Sequence, residues 1–305
     1  MPDPGNMLTR PCPVCGATNA RLLWRKADLC LVCCSGCAMV FANPVPATYA
    51  SGDYYDASAG YYLSPAKLES DYSPVRFRRE LRLFRKHCPG GEVLDVGCSS
   101  GAFLFQLQNQ VAGAYQVLGT DVSGPPLDYA ESRGVPVLRA NFLEHDFQDQ
   151  RFDAITFWAV LEHLFEPGKF LQKAASILKP GGVCFVLVPN LDSLAVRLLK
   201  TKYRYIYPQH LNYFTRTTLC RLAASRFELL DTRYTHFNPA VIWNDWRDRG
   251  AEVTNEQRAA LLEKTTHLKQ NPLLLPARVI YGLTEVALGA LGLADNLAMV
   301  LRRRH

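Results

Sequence analysis

Short apolar stretches alternating with longer helical ones, a glycine-rich turn after the first of them and an acidic residue closing the second predict an α/β fold: a doubly wound, mostly parallel sheet covered by helices on both faces. At 305 residues the chain is long for one compact domain and short for three, so a core with appendages is expected. A content of 48% hydrophobic and 20% charged residues is that of a water-soluble globular protein and excludes a disordered, collagenous or largely membrane-spanning chain. The formal net charge of +6, from 34 Lys and Arg against 28 Asp and Glu, is too small by itself to indicate a nucleic-acid binder. No charged segment followed by an apolar one opens the sequence, so a cytoplasmic, reducing location is expected.

Six of the ten cysteines lie between Cys12 and Cys37. In a reducing compartment such clustering reads as metal ligation. Cys12-x2-Cys15 and Cys34-x2-Cys37 are two pairs separated by 18 residues, the spacing of a structural Zn2+ site whose four thiolates leave no position for water. Cys30-x2-Cys33 is an equally legal pair. Cys34 and Cys37 are preferred because Gly36 and Ala38 supply small residues that match the partner run Cys12-Pro13-Val14-Cys15-Gly16, which leaves Cys30 and Cys33 unassigned. A Pro, Gly, Ser, Asp and Tyr rich connection follows, with tyrosines at 49, 54, 55, 61, 62 and 72; it suits a lid over a site or an aromatic anchor for the loop.

From Ser73, Phe77, Leu81, Phe84 and Cys88 fall on one helical face, and Pro89, Gly90 and Gly91 stop that helix. Strands are predicted at Val93–Val96, Val117–Thr120, Val135–Leu138, Ala154–Trp158 and Val183–Val188, with helices between them at Ala102–Gln110 and Lys169–Leu178. Phe227–Tyr234 and Asn296–Arg302 read as two further strands flanking a helical insertion. Within it, Leu273–Ala294 is mostly apolar but sets Arg278, Tyr281 and Glu285 on one face, so it does not span a membrane. It is expected to pack internally or at a subunit contact. Peripheral membrane contact through this helix, aided by Arg302–Arg304, Lys200, Lys202 and Arg204, is the alternative. The resulting organisation is a zinc module over 1–45, a Tyr-rich linker over 46–72, the α/β domain over 73–238, the insertion over 239–294 and a last strand with a basic tail over 295–305.

Gly97 and Gly101 sit directly after the first strand and before a helix, where glycine lets the backbone turn sharply and approach a ligand. Ser99 stands where a dinucleotide fingerprint would have its second glycine, which argues against a pyrophosphate packed on the turn. Asp121 ends the second strand, where an acidic side chain holds ribose hydroxyls in such folds.

Together VLDVGCSSG, GTDVS, FDAITFWAVLEHLFEP and ILKPGG resemble, in order and spacing, the motifs of the class I S-adenosylmethionine-dependent methyltransferases, from about Tyr54 to Phe227. That resemblance implies a Rossmann-like, seven-stranded methyltransferase sheet. It also implies that Asp95 and the backbone of Gly97, Cys98, Ser99 and Gly101 hold the methionine part of S-adenosylmethionine, and that Asp121, followed by Val122, holds the ribose. Asn141 and Phe142 stand where the family usually carries an acidic residue for the adenine amino group, and Trp158 would line the adenine or sulfonium side. The segment Cys12–Pro46 is further similar to the zinc-ribbon modules of a subgroup that methylates small molecules in polysaccharide and natural-product biosynthesis.

Methyl transfer from a sulfonium is an in-line displacement, so the protein must align donor and acceptor and, for a hydroxyl acceptor, remove a proton. His210 in PQHLNYF and His163 in LEHL are the expected catalytic residues, with His210 as base. A small-molecule acceptor such as a sugar, lipid-linked or natural-product intermediate is expected. The alternative is an RNA methyltransferase gripping phosphates with the zinc module and the arginines between Arg76 and Lys86. Against nucleic acid as a partner, FWAV occupies the position where base-amino methyltransferases carry an Asn/Asp-Pro-Pro-aromatic turn. The zinc module also carries only Arg10, Arg21, Arg25 and Lys26. The oligomeric state is not specified by these patterns.

Overall fold

The first strands of the chain are β1 (Met7–Leu8), β2 (Ala20–Lys26), β3 (Leu29–Cys34), β4 (Val40–Ala42) and β5 (Val45–Pro46). These belong to a computed structural model that describes residues 7–51, 59–110, 113–249, 251, 253–254, 257–258, 260–261 and 275–304. Three short helices follow, α1 (Thr48–Ser51), α2 (Ala59–Tyr62) and α3 (Pro65–Tyr72), and then the amphipathic α4 (Arg78–His87). Leu81, Phe84 and Cys88 of the expected apolar face are buried, but so is Glu80, which enters a cavity described below.

The central sheet comprises β6 (Gly91–Val96), β7 (Tyr115–Asp121), β8 (Val137–Arg139), β9 (Phe152–Trp158), β10 (Leu178–Pro189), β12 (Phe227–Thr235) and β13 (Asn296–Arg303), in the order β12-β13-β10-β9-β6-β7-β8. The run from β6 to β10 is parallel, and β13 is antiparallel to both of its neighbours. The expected doubly wound, mostly parallel seven-stranded sheet is therefore present. Alternate residues of each strand face opposite cores: Leu94, Val96, Ile155 and Phe157 on one side, and Val93, Ala154, Val183 and Phe185 on the other. Strands buried on both faces read as near-continuous apolar runs, which is why the alternation of segments was legible. Helices α5 (Ala102–Gln110), α6 (Gly124–Ser132) and α7 (Pro167–Ile177) make the crossovers. From β6 the chain goes first to β7 and β8 on one side and then returns to β9 on the other, so a crevice opens beyond the carboxyl ends of β6 and β9.

The cysteine segment is fused to this domain. β11 (Asn212–Tyr213) pairs with β4 and completes a four-stranded sheet in the order β11-β4-β3-β2. Cys12, Cys34, Cys37, Met39 and Phe41 share a hydrophobic core with β6, β9 and β10. Helices α8 (Leu194–Leu199), α9 (Arg216–Ala223), α10 (Pro239–Arg247) and α11 (Leu275–Ala290) complete the described elements. In α11 the polar face turns inward, with Glu285 paired to Arg79 and the Tyr281 hydroxyl donating to the Phe237 carbonyl. Val279, Leu283 and Val286 face outward. Residues 273 and 274 of the expected apolar stretch, like Tyr54 and Tyr55, lie outside the described residues. Among the described residues no helix is long and apolar enough to cross a membrane.

Candidate active site

The glycine turn sits at the mouth of the crevice. Gly97 (φ +73°) and Gly101 (φ +74°) adopt left-handed backbone, and a Cβ on Gly97 would lie 2.7 Å from a Val160 methyl. Both the Gly97 and Cys98 amides donate to the Thr120 carbonyl at the end of β7, at 2.8 and 3.1 Å. Asp121 braces the loop from the next strand: one carboxylate oxygen accepts from Ser99 N at 2.9 Å and the other from Ser123 N at 3.1 Å. From α3, Tyr72 donates its hydroxyl to the Ser100 carbonyl at 2.6 Å, covering the turn from outside.

Asp95, at the end of β6, is 3% exposed and accepts from Thr156 Oγ1 of β9 at 2.5 Å. Burial, and secondarily the Asp121 charge, push its carboxyl up to about 7, opposed by the Thr156 hydrogen bond. A buried carboxylate facing a cavity without an ion pair among the described residues is a receptor for a cation, which fits the ammonium of S-adenosylmethionine. Val122 is exposed at the rim. Asn141 spends its side chain on the local turn, accepting from Leu143 N and donating to Glu144, each at 3.0 Å, so one lone pair of its oxygen remains for a ligand. Phe142 is 3% exposed and stacks on Phe170, forming the apolar floor of this end. Trp158 packs against Phe103 and Phe185, with its indole N–H buried and unpartnered among the described residues.

Asp95, Gly97, Cys98, Ser99, Asp121, Val122, Asn141, Phe142 and Trp158, but not Gly101, line one cavity of about 800 Å3, which continues to a second pole containing both expected histidines. The ring centroids of His163 and His210 are 4.7 Å apart, and Tyr207 lies 4.3 Å from His210. His163 Nδ1 is 2.9 Å from the Gln209 carbonyl. The Glu162 carbonyl accepts from the Leu211 and Asn212 amides at 2.7 and 2.9 Å, which draws the segment carrying His210 onto the loop carrying His163. Burial pushes His163 down to about 4 and His210 well below its ordinary value, so both rings are neutral at physiological pH. The Arg258 guanidinium, 4.2 Å above the Tyr207 ring, acts in the same direction on both.

Several cavity groups carry little sequence signal. Glu162 is 1% exposed and burial pushes its carboxyl up to about 8. Tyr203, Tyr205 and Tyr207 precede His210 at alternate positions, a pattern that could have flagged them. His236 has left-handed backbone (φ +64°) and sets its Nε2 3.6 Å from Glu80, a pairing that no local motif announces. Tyr49, Tyr61 and Tyr62 of the linker also line the cavity, Tyr49 being buried in the adjoining core.

The four cysteines Cys12, Cys15, Cys34 and Cys37 converge, with ligand atoms all within 4.8 Å of one another and Sγ pairs at 3.4 Å (Cys12–Cys37) and 3.5 Å (Cys15–Cys34). Tetrahedral thiolates at 2.3 Å from Zn2+ would be about 3.8 Å apart, so these side chains fit that ion. Gly16 and Ala38, each the residue after its pair, both take left-handed backbone. Cys30 and Cys33 lie on β3 outside the cluster.

Beside the cluster, buried Arg10 reaches from the cysteine segment to the loops that line the second pole of the cavity. Its guanidinium donates to the carbonyls of Phe165 and Leu211, both at 2.7 Å, and to Asn212 Oδ1 at 2.9 Å. Asn212 in turn donates to the Leu161 and Leu164 carbonyls. One arginine and one asparagine thereby tie together the loops that bear Glu162, His163 and His210.

Comparison with known proteins agrees with this geometry. A probable tRNA methyltransferase 9B of Bos taurus is 30% identical over 139 residues, covering 45% of this chain and 28% of that protein. A ubiquinone biosynthesis O-methyltransferase of Actinobacillus pleuropneumoniae is 34% identical over 128 residues, covering 38% of this chain and 53% of that protein. The chain thus spans only part of the length of these curated relatives. Among solved structures, 1,6-didemethyltoxoflavin-N1-methyltransferase of Burkholderia thailandensis has the same fold, with a TM-score of 0.53 at 17% identity, covering 94% of this chain and 100% of that one. The family profile described as a methyltransferase domain matches residues 71–227, from the end of α3 to the start of β12. The chain therefore belongs to the methyltransferase-domain family, the class I S-adenosylmethionine-dependent methyltransferases.

Proposed function

We propose that the protein transfers the methyl group of S-adenosylmethionine to a small-molecule acceptor, with the zinc module as a structural part of the acceptor site. The observation that carries this reading is the continuity of the cavity from the Asp95–Asp121 cradle to the tyrosine and histidine pole. Its volume of about 800 Å3 lies within the rough range of 300 to 1,000 Å3 found for small-ligand sites. When bound, S-adenosylmethionine supplies an electrophilic methyl on a sulfonium. Asp95 would take its ammonium, the amides after Gly97 its carboxylate, and the Asp121 oxygens the ribose hydroxyls. Phe142 and Trp158 supply apolar walls, and Tyr61, Tyr62 and Tyr72 exclude water from the linker side. At the far pole, His210 and His163 with Glu162 receive the acceptor, and the proton it loses as it is methylated is drawn off at this cluster. Cys12, Cys15, Cys34 and Cys37 would hold Zn2+ in a closed structural shell.

The character of the acceptor pole favours a small molecule over RNA. Two of the arginines lining the cavity are already paired, Arg204 with Asp245 at 2.7 to 2.9 Å and Arg76 with Asp71, so neither is available to a phosphate backbone. The likenesses to a tRNA methyltransferase and to a ubiquinone biosynthesis O-methyltransferase are of similar identity and extent, so they do not discriminate between acceptors. A labelled-methyl transfer assay against sugar nucleotides, phenolic and quinol compounds, lipid-linked intermediates and RNA tests the reading. Label is expected in a small-molecule fraction; label confined to RNA would overturn it.

A further inference from the structure

Glu162, His163 and His210 each offer a ligand atom, and the three lie within 4.8 Å of one another. Their surroundings have already fixed which atoms these are. The hydrogen bond between His163 Nδ1 and the Gln209 carbonyl selects the tautomer in which Nε2 is an acceptor, and that Nε2 lies 3.9 Å from Glu162 Oε1. The His210 ring is hydrogen-bonded to the Tyr205 backbone, and its Nδ1 is buried with no partner among the described residues. Glu162 Oε2 is likewise buried and unpartnered among them. Both side chains are more than nine-tenths buried.

Two buried, unpartnered polar atoms, Glu162 Oε2 and His210 Nδ1, therefore belong to one three-residue cluster. A proton on Glu162 would satisfy one contact at most, and 3.9 Å is too long for a hydrogen bond as the groups stand. Two bonds of about 2.1 Å to a shared ion span roughly 3.4 to 4.2 Å between ligand atoms, a range that includes the 3.9 Å between His163 Nε2 and Glu162 Oε1. Imidazoles each anchored through the other ring nitrogen to a backbone carbonyl are also how metal-bound histidines are held. Two imidazoles and one carboxylate suit a divalent first-row transition ion, whereas Mg2+ would call for oxygen ligands.

We propose that Glu162, His163 and His210 form a second metal site, distinct from the four cysteines, that binds a divalent transition-metal ion and presents its open coordination positions to the acceptor's oxygen. The proposal rests on the methyltransferase reading above and narrows it to an oxygen acceptor. The ion polarises the acceptor hydroxyl and, because the two imidazoles and the carboxylate are engaged as ligands, its proton passes to water at the cavity mouth instead of to the cluster itself. The oxygen–carbon bond forms as the methyl carbon–sulfur bond breaks with its electron pair retained on sulfur, leaving the methyl ether and S-adenosylhomocysteine. Arg258 is the other cation facing the pole, and the Glu162 carboxylate offsets the charge brought in by the ion.

The test is metal counting on the full-length protein, purified with Zn2+ in the cysteine site and then equilibrated with Co2+. A second ion per chain is expected, showing the weak visible bands of nitrogen and oxygen ligation without the intense thiolate charge-transfer bands. Glu162→Gln and His210→Gln should each bring the count down to one while the cysteine-held ion stays. One ion per chain in the wild type, or a second ion that survives both substitutions, overturns the proposal. If either variant fails to fold, the wild-type count and cobalt spectrum decide alone. Calorimetric binding of S-adenosylmethionine to the same preparations is read separately, so a protein that binds it but holds only the cysteine ion defeats this proposal and leaves the methyltransferase reading standing.

Discussion

Asp95 shows how a single residue couples the fold to ligand chemistry. Held between β6 and β9 by Thr156, it is a buried acid whose carboxyl is pushed up to about 7, chiefly by burial. An ammonium ligand binds the ionised form, so binding must drive off whatever proton Asp95 carries. The sign follows: below about 7 the site is largely protonated and affinity for S-adenosylmethionine falls, whereas above it affinity levels off. Calorimetry at pH 6 in buffers of different ionisation enthalpy should register proton release, fading by pH 8. Asp95→Asn should abolish that pH dependence and weaken binding at pH 8 by about 10- to 100-fold, the worth of one charge-assisted hydrogen bond of about 1.5 to 3 kcal/mol. A pH-independent affinity in the wild type would show that Asp95 does not meet the ammonium. At this scale the sequence was informative wherever a residue type answers a local demand. Gly97 is required by its φ and by Val160, and both lie within a recognisable turn. Glu162 was passed over because its significance depends on burial and on His210, which lies far along the chain.

Among the elements, the loop after β9 and the segment around β11 are held by contacts that no periodicity reveals. Arg10 is the main example. Its hydrogen bonds to Phe165, Leu211 and Asn212 run to residues more than 150 positions away, and Phe41 and Phe165 flank its guanidinium at 5.4 Å. Burial brings its pKa down to about 10, so it remains charged at physiological pH. Arg10→Met would keep most of the side chain's volume but leave three carbonyls, of Ala42, Phe165 and Leu211, and Asn212 Oδ1 without this donor. A loss of about 3 kcal/mol in unfolding free energy is expected, on the basis of roughly 1 to 3 kcal/mol for each unsatisfied buried group. Methyl transfer should fall further than S-adenosylmethionine binding, because the tied loops carry the acceptor pole and not the glycine turn. Urea unfolding alongside parallel binding and turnover measurements checks both parts, and equal losses in binding and turnover would contradict this assignment. The strands themselves were legible, with β12 and β13 within a residue of the expected boundaries, because they are buried apolar runs punctuated by turns. The third strand is shorter than expected, and the strand that contains LKPGG begins at Leu178 because Leu178 already pairs with Phe152, residues 179–182 bulging out before pairing resumes at Val183.

For the whole molecule, the cysteine segment and the α/β domain share one core. Phe41 and Met39 pack with the strands of the central sheet, and β11 lends its edge to β4. No sequence pattern carries that fusion, since it depends on residues more than 160 positions apart. The expected consequence is cooperative: calorimetry of the metal-loaded protein should give a single unfolding transition. Removing the cysteine-held ion should shift that whole transition downward, because metal binding in such a site contributes directly to the free energy of folding. Two resolved transitions, with only the smaller one responding to the metal, would show that the segment folds separately.

The same sharing sets an order of events on the ribosome. The cysteine strands emerge among the first 46 residues, yet the partner of β4 is not made until Asn212 and Tyr213. The central sheet cannot close until β13 enters between β10 and β12, at residues 296–303. Until β6, β9 and β10 are made Met39 and Phe41 lack the surface that covers them, and until β13 is made β10 and β12 each lack a neighbour. The nascent chain therefore carries an unpaired strand edge until residues 296–303 are made, and its yield in a cell depends on how well that edge is sheltered in the interval.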